Sequence, residues 1–294
     1  MSRSIFRGVA ISQCHRPATS AECPGKPFMP YVSPDIPADL DLSLLATAAP
    51  AGMDKSAARQ ASEAMATQLA NLQELLYANR QHSLLVILQG LDTSGKDSSI
   101  KQVFREVNPM GLDIHSFKAP TTTELAQDFL WRSHHRVPSR GLIGIFNRSH
   151  YESAVTDRVM GFCDRATQME RCLSIREFER HLVANGTLVC KFFLHISRET
   201  QKERLLVRLQ DPQKHWKLSL ADLESRKHFD VYMNDWSRVI TATHQSVAPW
   251  HVVQADQKWY RDFVMLSVLI EKLKGLNMGW PALTQPVTAG DITD

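Results

Sequence analysis

The segment Ser83–Gly90, SLLVILQG, runs directly into LDTSGKD, and this junction constrains the chain more than any other stretch. A short continuous apolar run ending in glycine predicts a strand buried on both faces, and such strands belong to parallel sheets. Gly90 to Lys96 has the spacing G-x-x-x-x-G-K of a phosphate-binding loop. Behind it Ile100, Val103, Phe104 and Val107 fall at i, i+3, i+4 and i+7, the apolar stripe of a helix. Strand, glycine loop and helix in that order is the context the motif needs.

The alternation continues along the chain. Lys55–Asn79 reads as a long helix without internal Gly or Pro. DIHSFKAP predicts a second strand, and Thr121 with Glu124 forms a capping box that opens a helix through Val137. Gly141–Phe146 predicts a third strand with a helix from about His150, Thr187–Ile196 a fourth, and Trp250–Ala255 a fifth. Helices are expected at Gln168–Ala184, Glu199–Gln210, Ser219–Thr241 and Lys258–Lys274. Strands alternating with helices imply one α/β domain with a mostly parallel five-stranded sheet covered on both faces. Residues 1–50, crowded by Pro17, Pro24, Pro27, Pro30, Pro34, Pro37 and Pro50, read as an irregular arm. The main domain then covers residues 51–280, with a helical lid at 198–219 and a tail at 281–294.

Bulk properties exclude several classes. A net charge of +3 over 294 residues gives no argument for nucleic acid, so only clustered charge carries weight. No run approaches the roughly 18 apolar residues of a membrane span. The five cysteines are odd in number and form no C-x-x-C, and the twelve histidines show no ligand spacing. A cytoplasmic protein is expected.

The loop carries an electrostatic puzzle. Gly90, Thr93, Ser94, Gly95, Lys96 and Ser98 form a phosphate cradle in which glycines let backbone N–H groups turn inward and Lys96 supplies a point charge. Asp97, however, stands where nucleotide-hydrolysing loops carry Ser or Thr, and Asp92 lies inside the loop. Both carboxylates would be repelled by phosphate unless a divalent cation intervenes, so Mg²⁺ shared by Asp92, Asp97 and phosphate oxygens is expected. Asp92 has a second candidate role in orienting the attacking phosphate. At the end of the third strand, Asn147 takes the place of a metal-assisting Asp, and Arg148 next to it would stabilise the transferring phosphoryl group. The alternative for Arg148 is a structural pair with Glu152. Lys118 and Arg132 are further candidates for the cleft, the alternative for each being a solvated surface charge. The segment Arg198–Ser219 carries Arg204, Arg208, Lys214 and Lys217 on a helix that ends at Asp211–Pro212, as a basic lid closing over phosphates would. Asp256 and Lys258 lie at the carboxyl end of the fifth strand, where they would either reach the site or cap and pack locally.

Six blocks in this order, GLDTSGKD, SFKAP, DFLWR, FNRSHYE, RLQDPQKHWKLS and APWHVVQADQKWY, resemble the polyphosphate kinase 2 family from about Leu85 to Leu273. FNRSHYE and FLWR are most similar to members, often called class III, that phosphorylate both AMP and ADP. The resemblance implies an α/β, three-layer P-loop kinase fold of the thymidylate-kinase-like kind with a helical lid, and Mg²⁺-dependent phosphoryl transfer between inorganic polyphosphate and AMP, ADP or ATP. Guanine nucleotides form a further acceptor class, and a homo-oligomer, dimer or tetramer, is expected, with no nucleic-acid or membrane partner. By motif, Asp92, Lys96, Asp97 and Arg148 carry the central roles, and Arg204, Arg208, Lys214 and Lys217 match the basic lid. Ser98, Ser99 and Ser153 depart from the family's usual Gly, Thr and Asp. Two rival readings are an ATP-dependent kinase on the same fold, opposed by Asp97 and the basic lid, and a silent polyphosphate binder, opposed by the paired carboxylates.

Overall fold

A computed structural model describes residues 35–285, 287–288 and 291–292. The leading segment with Pro17, Pro24, Pro27, Pro30 and Pro34, and with Cys14 and Cys23, lies outside the described residues. Residues 35–50 contain one 3-10 turn, Leu42–Leu44, and are fastened to the domain. Leu42 is fully buried, its N–H donates to Ser237 Oγ at 3.0 Å, and Thr47 Oγ1 donates to Asp256 Oδ2 at 2.6 Å.

Helix α1 (Lys55–Asn79) is opened by Asp54, whose carboxylate accepts from the N–H groups of Ser56 and Ala57. Its buried residues Ala58, Ser62, Ala66, Leu69, Gln73 and Leu76 follow a helical stripe. Strand β1 (Ser83–Gln89) is buried at every position. Helix α2 (Lys96–Val103) follows the glycine loop and is shorter than the stripe predicts. Phe104 and Val107 stay buried on a turn in which Val107 N–H donates to Phe104 O. Strand β2 (Leu112–Ser116) comes next.

The helix predicted from Thr121 to Val137 is two short ones, α3 (Thr122–Leu125) and α4 (Trp131–His134). The capping box forms, but Asp128 accepts from the N–H groups of Leu130 and Trp131, so its carboxylate restarts the helix rather than continuing it. Strand β3 (Ile143–Asn147), α5 (Glu152–Val159), α6 (Arg165–Ala184), β4 (Thr187–His195) and α7 (Arg198–Gln210) follow. A 3-10 turn at Pro212–Lys217 leads to α8 (Leu220–Lys227) and α9 (Phe229–Thr243). One helix was expected over these last two. The chain bends at His228 because α9 buries Phe229, Tyr232, Met233, Trp236, Val239 and Ile240, whereas α8 buries only Asp222. Strand β5 (Trp250–Gln254) and α10 (Lys258–Lys274) complete the domain.

The sheet has the order β2-β3-β1-β4-β5, and every pairing is parallel. Strand periodicity divides the interior in two. Leu84, Val86 and Leu88 face the core beneath α1 and α10, while Leu85 and Ile87 face the core beneath α6 and α9. Because β1 is central and successive strands leave it on opposite sides, its carboxyl end is the topological switch point, where α/β sheets open a crevice.

Behind that point sits a fully buried polar cluster. Lys191 Nζ on β4 donates to Glu179 Oε2 (2.5 Å), Tyr151 OH (3.1 Å) and Thr243 O (2.9 Å). Tyr151 OH donates to Glu179 Oε1 at 2.7 Å, and the His150 ring lies 3.6 Å from the same oxygen. Burial lowers the pKa of His150 and keeps the ring neutral. This cluster anchors the turn between β3 and α5.

Candidate active site

At the carboxyl end of β1 the backbone enters conformations that side chains resist. Gly90 has φ 141°, and a Cβ there would stand 2.7 Å from Leu194 O. Thr93 (φ 68°) and Gly95 (φ 104°) continue the turn until α2 begins at Lys96. The first N–H groups of α2, which lack intrahelical acceptors, lie in the loop at a cavity of about 1140 Å³. Thr93 Oγ1 and Ser94 Oγ are buried without hydrogen-bond partners. Orphaned hydroxyls of this kind are uncommon in proteins, and phosphate oxygens would satisfy Thr93, which lines the cavity.

Arg261, only 1% exposed, lies directly under the loop. Its guanidinium donates to Asp262 Oδ1 (2.7 Å), Ser98 Oγ (3.2 Å) and Gly95 O (3.4 Å). A Cβ on Gly95 would collide with Arg261 Nη1. Gly95→Ala is therefore expected to lose roughly 1–3 kcal/mol of stability in urea denaturation, since φ and packing both oppose it. An unchanged urea midpoint would contradict this account of the loop. Ser98, a departure from the family pattern, gains a structural role here as the acceptor for Arg261.

Lys96 is 8% exposed, and its Nζ donates to Gly90 O (2.7 Å) and Leu91 O (3.2 Å). Burial and then Arg148 lower its pKa, against the pull of Asp92, Glu152 and Asp97. Asp97 is exposed to the cavity, where Asn147 Nδ2 donates to its Oδ1 at 2.7 Å and to Ser116 Oγ at 3.3 Å. The residue that replaces an Asp at the end of β3 thus holds the Asp that follows Lys96.

Arg148 has φ 62° and forms an ion pair with Asp92 at 2.7 Å across the cavity floor. Burial opposes its charge, but Glu152 and Asp92 prevail and raise its pKa. The foreseen contact with Glu152 is not the ion pair that forms. Glu152 accepts from Thr156 Oγ1 at 2.8 Å, and with the Gln89 amide assigned by its surroundings also from Gln89 at 3.0 Å.

The remaining expectations separate. Lys118, Arg208, Lys214 and Lys217 line the cavity, as do Asp256 and Lys258. Arg132 does not line it: its guanidinium covers the Phe117 ring at 5.0 Å, donates to Lys118 O at 2.8 Å and faces Glu124 at 3.7 Å. It holds Lys118 in place. Arg204 lines the cavity, but its two terminal nitrogens are occupied by the carbonyls of Thr93, Ser94, Ala255 and Asp256 at 2.8–3.1 Å. It staples α7 to the phosphate loop and to the end of β5. Sequence reasoning missed Lys55 and Arg59 of α1, and Trp216 of the 3-10 turn after α7, all of which line the cavity. Two cations at i and i+4 in the opening turns of a helix, where acidic residues are favoured, are the signal that marks the first pair.

Asp92 and Asp97 both border the cavity, and no group of three or more His, Cys, Asp or Glu able to hold a metal occurs among the described residues. Mg²⁺ commonly takes one or two carboxylates together with phosphate oxygens and water. The donor set fits an ion shared with substrate and does not fit a cage made by protein alone.

A family model described as Polyphosphate kinase 2 (PPK2) matches residues 52–279. An AMP/ADP-polyphosphate phosphotransferase of Meiothermus ruber is 45% identical over 237 residues, covering 81% of this chain and 88% of the relative. An ADP-polyphosphate phosphotransferase of Rhodopseudomonas palustris is 40% identical over 229 residues, 74% of this chain and 79% of that protein. The crystal structure of polyphosphate kinase 2 from Arthrobacter aurescens TC1 superposes with a TM-score of 0.82 at 38% identity, covering 85% of this chain and 91% of the other. With the family model matched over residues 52–279 and relatives 45% and 40% identical over most of their length, the chain belongs to the polyphosphate kinase 2 family.

Proposed function

We propose that this protein transfers a phosphoryl group between inorganic polyphosphate and a nucleotide, with AMP and ADP as acceptors and Mg²⁺ as the required ion. The observation that carries this reading is the open cavity of about 1140 Å³ whose floor is the phosphate loop and whose walls are lysines and arginines. Such a wall suits a donor that is a chain of phosphates, while a nucleotide acceptor enters the same opening. The name of the Meiothermus ruber relative, 45% identical, supports both AMP and ADP. A Pseudomonas aeruginosa relative named as a GDP-polyphosphate phosphotransferase is 35% identical over 175 residues and keeps guanine nucleotides in the acceptor class.

In this reading Asp92 and Asp97 hold Mg²⁺, which when bound neutralises phosphate charge. Asn147 keeps the Asp97 carboxylate turned to the cavity, and Arg148 orients Asp92. Lys96, the loop N–H groups and Arg148 bind the phosphates and stabilise charge on the transferring group. Lys214 and Lys217 close from above, and water exclusion under the lid suppresses hydrolysis. A homo-oligomer, dimer or tetramer, belongs to the same proposal. The free cysteines Cys163, Cys172 and Cys190 fit a reducing cytoplasm, and no helix among the described residues is long and apolar enough to cross a membrane.

Incubation with Mg²⁺, polyphosphate and either AMP or ADP, followed by chromatography, tests it: ADP and ATP are expected. Turnover only with ATP as donor would reverse the assignment of the donor, and no turnover with any donor would favour a binding protein. Asp97→Asn is expected to abolish transfer without shifting the thermal midpoint by more than a few degrees. Wild-type rates in that variant would remove the metal role.

A further inference from the structure

Asp256 follows β5 and borders the cavity, where a bare carboxylate would repel phosphate. It is half-buried, and the protein engages both of its oxygens. Thr47 Oγ1, from the segment before α1, donates to Oδ2 at 2.6 Å, and the Ser197 N–H donates to Oδ1 at 2.9 Å. The first of these has the length of a charge-assisted bond. The backbone joins the same two segments: Asp256 N–H donates to Thr47 O at 3.1 Å, and Ala49 N–H donates to Gln257 Oε1 at 2.7 Å.

Ser197 is the N-cap of α7, and its Oγ accepts from the Thr200 N–H at 3.0 Å, so its position sets where that helix starts. Arg204, about two turns further along α7, comes back to the same stretch of chain and donates to the carbonyls of Ala255 and Asp256, as well as to those of the phosphate loop. Burial and Arg261 lower the pKa of Arg204, and Asp256 and Glu203 act against them. The turn after β5 therefore holds α7 at two heights, and Asp256 takes part in both. The other end of the segment that carries Thr47 is fixed as well. Leu40 and Leu42 are buried in the core beneath α6 and α9, and the Leu42 N–H donates to Ser237 Oγ of α9. Residues 40–49 thus run from α9 to Asp256 with a hold at each end.

We propose that residues 40–49 form a strap that fixes the root of α7 through Thr47 and Asp256, and that Asp256 is a positioning residue for phosphoryl transfer. The inference rests on the reading above, in which α7 leads into a lid over the phosphates, and deepens it. With the strap in place α7 presents Arg208 to the cavity before substrate arrives. With the strap released, α7 samples other orientations, and polyphosphate binding has to supply the ordering.

Thr47→Val keeps the shape of the side chain and removes the donor, and Thr47→Ser restores the donor. Hydrogen exchange read by mass spectrometry is expected to show the amides of α7 exchanging about tenfold faster in Thr47→Val, with those of α6 at the wild-type rate and Thr47→Ser close to wild type in both. KM for polyphosphate should rise about three- to tenfold in Thr47→Val with kcat within twofold, because saturating polyphosphate restores the ordered helix. An unfolded fraction would instead lower kcat and leave KM alone. Asp256→Asn separates positioning from charge. Loss of a negative charge beside the cavity would by itself lower polyphosphate KM, whereas a weakened hold on Thr47 raises it. Unchanged exchange in α7, equal acceleration in α6, or a Thr47→Ser variant as fast as Thr47→Val would overturn the strap. An unchanged polyphosphate KM in Thr47→Val, or a lower one in Asp256→Asn, would overturn the positioning role. A wild type without turnover on polyphosphate would overturn the functional reading, and exchange in α7 would then decide the strap by itself.

Discussion

Replacing Lys96 by methionine is expected to lower kcat for phosphoryl transfer roughly 10²–10³-fold, the loss typical when one preorganised donor to developing charge is removed. Lys96 Nζ already donates to the carbonyls of Gly90 and Leu91, at 2.7 and 3.2 Å. An ammonium group has three donors, so one remains for a phosphate oxygen without any rearrangement of the side chain. The loop fixes the charge before substrate arrives, and this is what makes it effective. Methionine keeps the apolar stem and removes the charge together with the hydrogen bonds to the Gly90 and Leu91 carbonyls. A steady-state assay with a thermal melt as control checks the result, and a kcat within a few-fold of wild type would remove Lys96 from the chemistry.

The largest effect on stability is expected from Glu179→Leu, which leaves Lys191 buried without its counter-charge. Breaking a buried pair from one side costs about 3–5 kcal/mol, and for a domain of this size a thermal midpoint falls by roughly 10 °C or more. Tyr151 loses its acceptor at the same time. The double variant Glu179→Leu/Lys191→Met should recover much of the loss, because two apolar side chains no longer need each other. Burial opposes the Glu179 charge, but Lys191 and the His150 contact outweigh it and lower its pKa. A depressed carboxylate contributes stability above its unfolded pKa and loses it as pH falls through the lower folded value. The gap between wild type and Glu179→Leu should therefore narrow only in acid, below the usual carboxylate range. Urea titrations at neutral and acid pH read this, and a single variant within about 1 kcal/mol of wild type would contradict the buried-pair account.

Much of this arrangement was legible from local pattern. The apolar run of β1, the glycines of the loop and the helical period of α1 and α10 each carry their own geometry, because backbone propensity and burial act over a few residues. α10 occupies the predicted span, Lys258–Lys274. Where a short-range competitor intervened, the pattern misled: the carboxylate of Asp128 divided α3 from α4, and burial of α9 turned the chain at His228. Charge alone was a poorer guide. Arg132 and Arg204 have the composition of phosphate ligands, yet Arg132 braces Lys118 and Arg204 staples the loop.

The local sequence was enough to specify a glycine loop between a buried strand and a helix, and a parallel α/β sheet around it. Folding decided which cations face the cavity. Lys55 and Arg59 precede the loop by some thirty to forty residues, and Lys258 and Arg261 follow it by more than one hundred and sixty, yet packing of α1 and α10 brings all four to the same site. The direction of a guanidinium is set by whichever acceptors the fold leaves within reach, and those acceptors lie on segments remote in the chain. No window of sequence contains them together.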